Sequence, residues 1–294
     1  QAGQAVLTTY IGYEVIVSDD CSTDGTWERI IKLAGEDKRI KAVQPPHNCG
    51  MPGNANFAVA QSDRPYIALL HHDDLYRKDL LEKWAGVLER HPEVGFVFNP
   101  YGVFESDVIV QGKMPSECIA GNWLLKNYLF AHWGSCVRGT TMINRIAWEE
   151  VGGMREQFGL LSDVDLWMRL SMRGPVGYVP EPVITVRHQR PNYYPDIYLY
   201  GSDLFWTRQR FLYEIHAANQ FAYLELNSLS GRIQWWRFRL KLSLEISKWL
   251  VYAVVRKKIF LIESSPLGAV QQEFFWVNWL RKRILNYYLP TQLR

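Results

Sequence analysis

The 294-residue sequence predicts an α/β fold, with a mainly parallel sheet flanked by helices and an α-helical C-terminal extension. Two observations lead to this prediction. Between residues 13 and 98, short apolar runs rich in β-branched residues alternate with segments of helical periodicity, a pattern typical of βαβ units. Beyond residue 191 the chain changes to long helical segments rich in Trp, Arg and Lys. We therefore expect an α/β domain over residues 1–191 and a helical region over 192–294.

The elements of both regions have local support in the sequence. Asp24 precedes the first helix as an N-cap, and Pro92 ends the third helix, because proline disfavours helical geometry in the residue before it. Strands are expected at 13–18, 40–44, 65–70, 94–99 and 140–143, with a β-rich segment at 176–187. Helices are expected at 26–33, 51–61, 78–90 and 160–173, and longer ones at 198–217, 233–255 and 274–288.

The start of the chain is unusual for a parallel sheet. Residues 1–9 look like the end of a helix, and the first strong strand begins at Tyr13. A sheet of this type has a central strand before that helix, since the helix faces need a sheet to cover them. We therefore expect that further residues precede Gln1 in the natural protein.

Composition narrows the class of protein. A 48% hydrophobic content with 21% charged residues indicates a globular chain, and a net charge of +3 is too small to predict nucleic-acid binding. The four cysteines, Cys21, Cys49, Cys118 and Cys136, form no C-x-x-C pair, so neither a zinc site nor a disulfide framework is indicated. No apolar run reaches the roughly 18 residues of a membrane-spanning helix. A cytoplasmic location is expected.

Two apolar strands end in clusters of ionisable residues. The strand at 65–70 leads into His71, His72, Asp73 and Asp74, and the strand at 13–18 leads into an acidic pair. The carboxyl ends of parallel strands meet at one edge of a sheet, where ligands bind. Carboxylates are hard oxygen ligands for divalent cations. The sequence therefore predicts a site for a metal-bound phosphate ligand at this edge.

Four blocks, taken in order, resemble the family-2 glycosyltransferases, which are inverting sugar transferases of GT-A-type, Rossmann-like fold that use nucleotide-sugar donors. The blocks are 13–26, 48–56, 70–74 and 162–170, and a closing strand that begins near Pro180 leads to His188. The resemblance covers about residues 5–190. It departs from the family pattern at His71, where the first D-x-D carboxylate usually stands, and at Ser162, which replaces a Glu.

The resemblance implies a role for each block. Asp163 stands in the place of the catalytic base, and Asp73 in the place of the last D-x-D carboxylate. His71 and His188 would complete the shell of a divalent cation, Mn²⁺ or Mg²⁺. The residues implied in nucleotide binding are Asp19, Asp20, Asn48, Gly50, Asn54, His72 and Asp73.

Each role has a structural alternative that the sequence leaves open. A carboxylate at 19, 20, 73 or 163 also suits a turn or a helix N-cap, Asn and Gly at 48, 50 and 54 suit ordinary turns, and either histidine can be a packed or surface residue. Three neighbouring residues favour structure over chemistry. Asp74 is expected to cap the following turn, Asp165 to pair with Arg169 at i+4, and Trp167 to belong to the core.

The helical region carries a local excess of positive charge. Between Arg232 and Lys258 there are eight basic residues and one acid, Glu245, with aromatic residues interleaved. A basic amphipathic helix with aromatic residues is typical of binding to an anionic membrane surface. The alternative is a helix that covers the sheet domain or forms a homo-oligomer, with Leu240, Leu244, Leu250 and Val254 as its core stripe.

Together these observations predict an inverting glycosyltransferase. It would use a nucleotide-sugar donor, with UDP- or dTDP-sugars favoured, and a glycan or lipid-linked acceptor in bacterial surface polysaccharide synthesis, working in the cytoplasm or on the inner face of the cell membrane. The alternative is a noncatalytic nucleotide- or glycan-binding protein of the same fold, which the departures at His71 and Ser162 motivate. Nucleic-acid binding by the basic helices is not favoured, because no platform for base stacking is recognisable.

Overall fold

The computed structural model describes residues 11–110, 114–133, 135–187, 203–255 and 275–288. The strands are β1 (Val15–Ser18), β2 (Ile40–Val43), β3 (Tyr66–Leu69), β4 (Leu75–Tyr76), β5 (Phe96–Phe98), β6 (Tyr101–Val103), β7 (Ile109–Val110), β8 (Cys118–Ile119), β9 (Thr141–Asn144), β10 (Val176–Tyr178) and β11 (Ile184–Val186). The α-helices are α1 (Thr26–Glu36), α2 (Gly50–Val59), α3 (Leu80–Arg90), α4 (Gly121–Leu124), α5 (Arg145–Val151), α6 (Ser162–Arg173), α7 (Asp203–Tyr223), α8 (Leu229–Val255) and α9 (Phe275–Tyr288).

The predicted α/β fold is confirmed, and its sheets are mixed. β1 pairs in parallel with β2, while a five-stranded sheet has the order β3-β9-β5-β10-β8 and a four-stranded sheet the order β4-β11-β6-β7. The β5–β10 and β6–β11 ladders are parallel, but β9 runs antiparallel to both β3 and β5. The direction reverses because the chain between β5 and β9 passes through short strands and α4 instead of a single helical crossover.

Local signals act at both predicted helix ends. Asp24 Oδ1 accepts hydrogen bonds from the backbone N and Oγ1 of Thr26, at 3.2 and 2.7 Å, but the N-cap position of α1 is held by Gly25, one residue later than predicted. α3 ends two residues before Pro92, as predicted. A turn at Gly152 and Gly153 follows α5 with positive φ at both glycines, a conformation that glycine adopts without steric cost.

The core of the α/β unit lies between helices and the five-stranded sheet. Trp84 of α3 is fully buried and donates its Nε1 hydrogen to Asn99 Oδ1 at 2.9 Å. Trp167 of α6 is also fully buried and packs on Phe96, with ring centroids 5.2 Å apart. Two buried indoles on opposite elements supply a large share of the apolar area removed from water. The prediction that Trp167 is a core residue is confirmed.

The chain divides into two compact units, residues 1–190 and 191–294. In the second unit, α8 packs against both α7 and α9. Its buried face consists of Phe238, Leu242, Ile246 and Leu250. Of the predicted core stripe, Leu250 is confirmed as buried, whereas the prediction is wrong for Leu240 and Leu244, which are about half exposed. None of the helices, within the described residues, has the length and apolar character needed to cross a bilayer.

Candidate active site

The segment after β3 carries a cluster of ligating side chains. The imidazole of His71 and the carboxylates of Asp73 and Asp74 each offer an atom, and these three atoms lie within 4.8 Å of one another. The cluster forms because β3 ends at Leu69 and β4 begins at Leu75, so the five intervening residues make a tight connection. The Asp73 carboxylate makes no hydrogen bond to any described residue and is half-buried. The arrangement could hold a cation with imidazole and carboxylate ligands.

Asp74 does not cap the following turn, contrary to the sequence-based expectation. The residues that follow it form β4 and not a helix, and α3 starts only at Leu80. The Asp74 side chain is fully buried, and its Oδ1 accepts a long hydrogen bond of 3.4 Å from the backbone N of Arg187. Its Oδ2 is buried and has no hydrogen-bond partner among the described residues, which is unusual for a carboxylate oxygen.

Arg138 faces this buried carboxylate. Its Nε lies 3.6 Å from Asp74 Oδ2, close enough for charge attraction. This Nε atom is buried and makes no hydrogen bond to any described residue. Burial raises the pKa of Asp74, and the guanidinium of Arg138 acts in the opposite direction. The Asp74 carboxylate and the Arg138 guanidinium therefore lie side by side at ion-pair distance without a direct hydrogen bond.

His71 lies in a recess beside these charges. About 37% of its side-chain surface is exposed within the recess, but the surrounding protein restricts its solvation. This enclosure, with a smaller contribution from the Arg138 charge, lowers the pKa of His71 to about 4. The imidazole is therefore neutral at physiological pH and can offer a nitrogen lone pair. Tyr76 Oη donates to the His71 carbonyl oxygen at 2.6 Å and fixes the backbone there.

Asp163 lies in the first turn of α6 and reaches the same recess. Its Oδ1 accepts from the backbone N of Val164 at 2.8 Å, and the helix N-terminus favours the ionised carboxylate. A β-carbon built on Gly139 would lie 3.1 Å from Asp163 Oδ2 and 2.7 Å from His71 Nε2. These two side-chain atoms are therefore no farther apart than the sum of the two distances, about 5.8 Å. The third and fourth motif blocks thus meet at Gly139.

The neighbours of Asp163 in α6 have structural roles. The buried Asp165 accepts from Arg169 Nε at 2.7 Å, which confirms the predicted i+4 pair, and Arg169 also donates to the carbonyl oxygens of Val151 and Gly153. Ser162, at the position where the family has Glu, is buried and donates its hydroxyl hydrogen to backbone carbonyl oxygens of the preceding turn. These contacts hold the start of α6 in place and thereby position Asp163.

A second group of predicted site residues surrounds the end of β1. Both carboxylate oxygens of Asp20 accept backbone hydrogen bonds at the start of α2, from Cys49 and Gly50, each at 2.8 Å. Asn48 Nδ2 donates to the Asp20 carbonyl oxygen at 2.9 Å. Asn54 bonds Ser18 through both ends of its amide. The polar groups of this set are largely engaged in joining β1 to α2, and Gly50 adopts a φ of +72° there, which favours glycine.

Asp19 differs from Asp20 in how its oxygens are used. It is 96% buried, and its Oδ2 accepts from Ser22 N at 3.0 Å and from Gln44 Nε2 at 2.9 Å. Its Oδ1 makes no hydrogen bond to the described residues. Among the acids at this strand end, Asp19 is therefore the one with a carboxylate oxygen left for a ligand.

The structure thus gathers the predicted residues into two groups. His71, Asp73 and Asp163 share the recess at Gly139, while Asp19 and Asp20 make their hydrogen bonds around β1 and α2. His72 is exposed beside the first group. His188 lies outside the described residues.

Asp74 and Arg138 are the site residues that sequence reasoning missed as ligands. The second carboxylate in the D-D pair was a signal for Asp74, because a buried acid next to a metal motif rarely serves only a turn. Arg138 carried no signal, since it belongs to the irregular segment before β9 and reaches the site only through the pairing of β9 with β3.

Comparison with known proteins identifies glycosyltransferases among the relatives of this chain. The family Glycosyl transferase family 2 matches residues 2–152. EpsE of Bacillus subtilis, named as a glycosyltransferase, is 30% identical over 206 residues, 66% of this chain and 69% of that protein. TuaG of the same bacterium, named as a teichuronic acid biosynthesis glycosyltransferase, is 30% identical over 170 residues, 56% and 63% of the two chains.

For two further relatives, the match covers less than half of the relative's own length. WfgD of Escherichia coli, named as a UDP-Glc:α-D-GlcNAc-diphosphoundecaprenol β-1,3-glucosyltransferase, is 29% identical over 119 residues, 40% of this chain and 46% of that protein. The uncharacterized protein y4gI of Sinorhizobium fredii is 30% identical over 168 residues, 55% of this chain. The chain spans only 17% of the length of y4gI.

Solved structures share the fold at low identity. The S. aureus TarS 1–349 complex with UDP-GlcNAc has a TM-score of 0.59 at 16% identity and covers 98% of this chain and 84% of that one. A Pyrobaculum calidifontis mannosyltransferase, PcManGT, in complex with GDP-Man and Mn²⁺ has a TM-score of 0.54 at 15% identity, with 98% and 82% covered.

Proposed function

Since the chain belongs to glycosyl transferase family 2, we propose that it transfers a sugar from a nucleotide-sugar donor to a hydroxyl group of a glycan or lipid-linked acceptor, with inversion at the anomeric carbon. The observation that carries this proposal is the meeting of Asp163 and His71 at Gly139, next to Asp73 and Asp74. One recess then offers a base and a cation site within a few ångströms, as direct displacement at a sugar carbon requires.

Asp163 is the proposed general base. Inversion by a single displacement needs one carboxylate on the acceptor side, which takes the hydroxyl proton as the new bond forms. Asp163 is half-buried in the first turn of α6, where the helix dipole favours a negative charge, and its neighbour Asp165 is bonded to Arg169. The chain therefore leaves Asp163 as the acid of α6 that can accept a proton from substrate.

A divalent cation fits the residues at the end of β3. The observations that support the fit are the unpartnered buried Oδ2 of Asp74 and the close approach of three donor atoms. Asp73, Asp74 and the neutral His71 would hold the ion, with His188 as a further candidate. A mixed imidazole and carboxylate set suits Mn²⁺ at least as well as Mg²⁺. When bound, the cation would neutralise charge on the leaving diphosphate.

The chain's own cations would serve the same leaving group. Arg138 and Arg187 each have a buried Nε with no hydrogen bond to the described residues. Charge-assisted hydrogen bonds from a guanidinium to phosphate oxygens are strong and geometrically specific. We assign the diphosphate to these two arginines and the nucleoside to Asp19, whose Oδ1 is available. The nucleotide pocket would be supported by the hydrogen-bonded connection of β1 to α2, which is formed by Asp20, Asn48, Gly50 and Asn54.

The donor and acceptor classes follow from the relatives. TarS binds UDP-GlcNAc, and the name of WfgD specifies UDP-Glc with a diphosphoundecaprenol-linked acceptor. A UDP- or dTDP-sugar and a lipid-linked glycan of surface polysaccharide synthesis are therefore proposed for this chain. In this assignment residues 1–191 bind the donor and perform the transfer.

Residues 192–294 are proposed to contact the membrane surface where such acceptors lie, by a peripheral attachment on the cytoplasmic side. α8 supports this role with a stripe of exposed apolar residues at helical spacing, defined here as the α8 stripe: Leu229, Ile233, Trp236, Leu240, Leu244, Val251 and Val255. Exposed basic residues, among them Arg237 and Lys241, flank the stripe. Apolar insertion flanked by positive charge is the pattern of interfacial helices on anionic lipid.

Replacement of the base tests the proposed function. The Asp163→Asn variant should lose transfer by about 10²–10⁴-fold, since general base catalysis contributes on that scale. Its binding of UDP with Mn²⁺, followed by thermal shift, should remain that of the wild type, because the variant keeps the size of the side chain. Asp107→Asn, in an exposed loop of the same unit, is the matched control.

The same assay separates the enzyme from a noncatalytic binding protein. Wild-type protein is incubated with UDP-, dTDP- and GDP-sugars, with and without Mn²⁺, and nucleotide release is measured. Tight metal-dependent nucleotide binding without release or transfer from any donor would favour the noncatalytic alternative. Normal turnover by Asp163→Asn would show that another group is the base.

A further inference from the structure

A second cluster of metal-ligating side chains lies at the opposite edge of the five-stranded sheet. His91, Glu93 and Cys118 each contribute one ligand atom, and these atoms lie within 4.8 Å of one another. β8, which carries Cys118, is the edge strand four positions away from β3 in the sheet order. With strands about 4.8 Å apart, this cluster is separate from the site that follows β3.

The distances in this cluster match those around a bound ion. His91 Nδ1 lies 3.7 Å from Glu93 Oε1, and Cys118 Sγ lies 3.8 Å from the same oxygen. A tetrahedral zinc ion with Zn–N, Zn–O and Zn–S bonds of ordinary length separates its ligand atoms by about 3.3–3.6 Å. These two pairs therefore need to contract by only a few tenths of an ångström, and the third pair, an imidazole nitrogen of His91 and Cys118 Sγ, lies within 4.8 Å. Nitrogen, carboxylate oxygen and thiolate sulfur are the donors that zinc takes in proteins.

The imidazole of His91 is oriented for this role by a neighbouring carboxylate. Its Nε2 lies 3.1 Å from Glu117 Oε1, and Arg90 holds both oxygens of Glu117 at 3.0 and 2.9 Å. The two hydrogen bonds from Arg90 hold the Glu117 carboxylate in place as an acceptor for His91. An Nε2–H donated to Glu117 leaves the Nδ1 lone pair on the side of Glu93 and Cys118. A histidine that binds a metal through one ring nitrogen usually donates the hydrogen of the other ring nitrogen to a carboxylate.

The backbone that carries the ligands is held before any ion binds. His91 N donates to Val87 O at 2.9 Å at the end of α3, and Val94 N donates to His91 O at 3.0 Å, which closes the turn around Glu93. On the other side, Cys118 pairs with Gly177 in the β8–β10 ladder. Rigid supports of this kind reduce the entropy that ligand binding must overcome.

We propose that His91, Glu93 and Cys118 bind a zinc-type divalent ion, with Glu117 positioning His91 and water in the fourth place. The ion links the end of α3 to the edge strand β8, so it ties down the strand that would otherwise present unpaired backbone groups. The proposal is independent of the transferase activity.

Cobalt(II) is the probe, because a cobalt–thiolate bond gives a charge-transfer band in the near ultraviolet. Full-length wild-type protein should develop this band on addition of one equivalent of cobalt, and zinc should displace it. Asp73 and Asp74 also bind divalent ions in our assignment, but they contain no sulfur and give no such band. The band therefore reports Cys118 specifically.

Variants decide between this site and other cysteines. Cys118→Ser should lose the band, and Cys21→Ser should keep it. Glu117→Gln should keep the band while the affinity for cobalt falls about 10–100-fold, the scale found for partners of ligating histidines. Circular dichroism checks that each variant is folded. If Cys118→Ser fails to fold, His91→Gln replaces it, and its cobalt affinity should fall at least about tenfold.

Three results would overturn the proposal. They are the absence of a charge-transfer band in wild-type protein with stoichiometric cobalt, a band that survives in folded Cys118→Ser, and an unchanged cobalt affinity in His91→Gln. As a second readout, zinc should raise the melting temperature of the wild type by more than that of His91→Gln, which keeps only the site after β3, because each ion that binds only the folded state stabilises it.

Discussion

The carboxylate of Asp163 and the imidazole of His71 face the same side of Gly139, no more than about 5.8 Å apart. This proximity joins two sequence blocks that are about ninety residues apart in the chain. It depends on the absence of a side chain at Gly139, because a β-carbon there would lie 2.6 Å from His71 Cε1. A β-carbon essentially never makes a non-bonded contact that short, so any larger residue must displace the imidazole or the backbone.

Gly139→Ala should therefore impair transfer more than it impairs folding. The φ of Gly139 is not in the left-handed region, so alanine fits the backbone, and overpacking should cost about 1–3 kcal/mol of stability. Displacing His71 should lower kcat/KM for transfer by about 10²-fold, the effect of a misplacement near 1 Å. Steady-state kinetics and thermal unfolding measure the two effects.

Gly35→Ala is the matched control for this change. A β-carbon at Gly35 meets no atom within 4 Å, and the residue lies inside α1. The substitution should raise stability by about 0.5–1 kcal/mol and leave transfer unchanged. If Gly139→Ala retained full activity, the recess at Gly139 would not be the reaction site.

Two substitutions of His71 should change the metal dependence of transfer in opposite directions. Removing bound cations with a chelator should abolish transfer. His71→Ala should raise the Mn²⁺ concentration for half-maximal activity at least about tenfold, because the ion loses a ligand. His71→Asp should recover the activity and shift the preference towards Mg²⁺, which favours oxygen ligands.

Activity titrated against Mn²⁺ and Mg²⁺ measures both effects, with Asp107→Asn, in an exposed loop of the same unit, as the control. Identical titrations for wild type and His71→Ala would remove His71 from the metal shell. His71, which stands at the position of the first carboxylate of the family's D-x-D motif, would then have a packing role only.

Asp165 should matter for stability instead of chemistry. Its side chain is fully buried and bonded to Arg169, so Asp165→Asn leaves a buried guanidinium without its charge partner. The free energy of unfolding should fall by about 3–5 kcal/mol. Glu149→Gln removes an i+4 partner of Arg145 on an exposed surface, and it should change stability by less than about 1 kcal/mol.

Denaturant unfolding of the two variants at pH 7 gives this comparison. A loss below about 1 kcal/mol for Asp165→Asn would mean that the carbonyl oxygens bonded to Arg169 satisfy its charge without the carboxylate. Transfer by the folded fraction of the variant should stay close to normal, in contrast to Asp163→Asn.

The sequence predicts well those features that depend on neighbours along the chain. The Asp24–Thr26 hydrogen bonds, the end of α3 before Pro92 and the Asp165–Arg169 pair all arise from residues within four positions of each other. Local geometry alone decides such contacts, so a pattern in the sequence is enough to find them.

Features that depend on distant pairing escaped prediction. Arg138 and Gly139 reach the site only because β9 inserts between β3 and β5 in antiparallel orientation, and no local pattern encodes that choice. The cluster of His91, Glu93 and Cys118 was missed for the same reason, since its ligands lie 25 residues apart without a C-x-x-C spacing. The buried face of α8 was predicted only in part because apolar residues occur on several sides of the helix, and packing on α7 and α9 selects among them.

The α8 stripe should drive binding to anionic membranes. Leu240 and Leu244 are 45% and 50% exposed, so Leu240→Gln with Leu244→Gln should leave the fold intact. Burying one leucine in lipid contributes about 1.5–3 kcal/mol, so the double variant should reduce partitioning onto vesicles containing phosphatidylserine by at least about 10²-fold. Co-sedimentation of full-length protein with vesicles measures the partitioning, and raised salt should weaken it by screening the flanking basic residues. Val108→Gln, which changes a similarly exposed apolar residue of the other unit, should bind vesicles like the wild type.

Sedimentation velocity in the absence of lipid tests the alternative that the α8 stripe forms a homodimer. A wild-type dimer that the double variant converts to monomer, together with unchanged vesicle binding, would assign the stripe to a second copy of the chain.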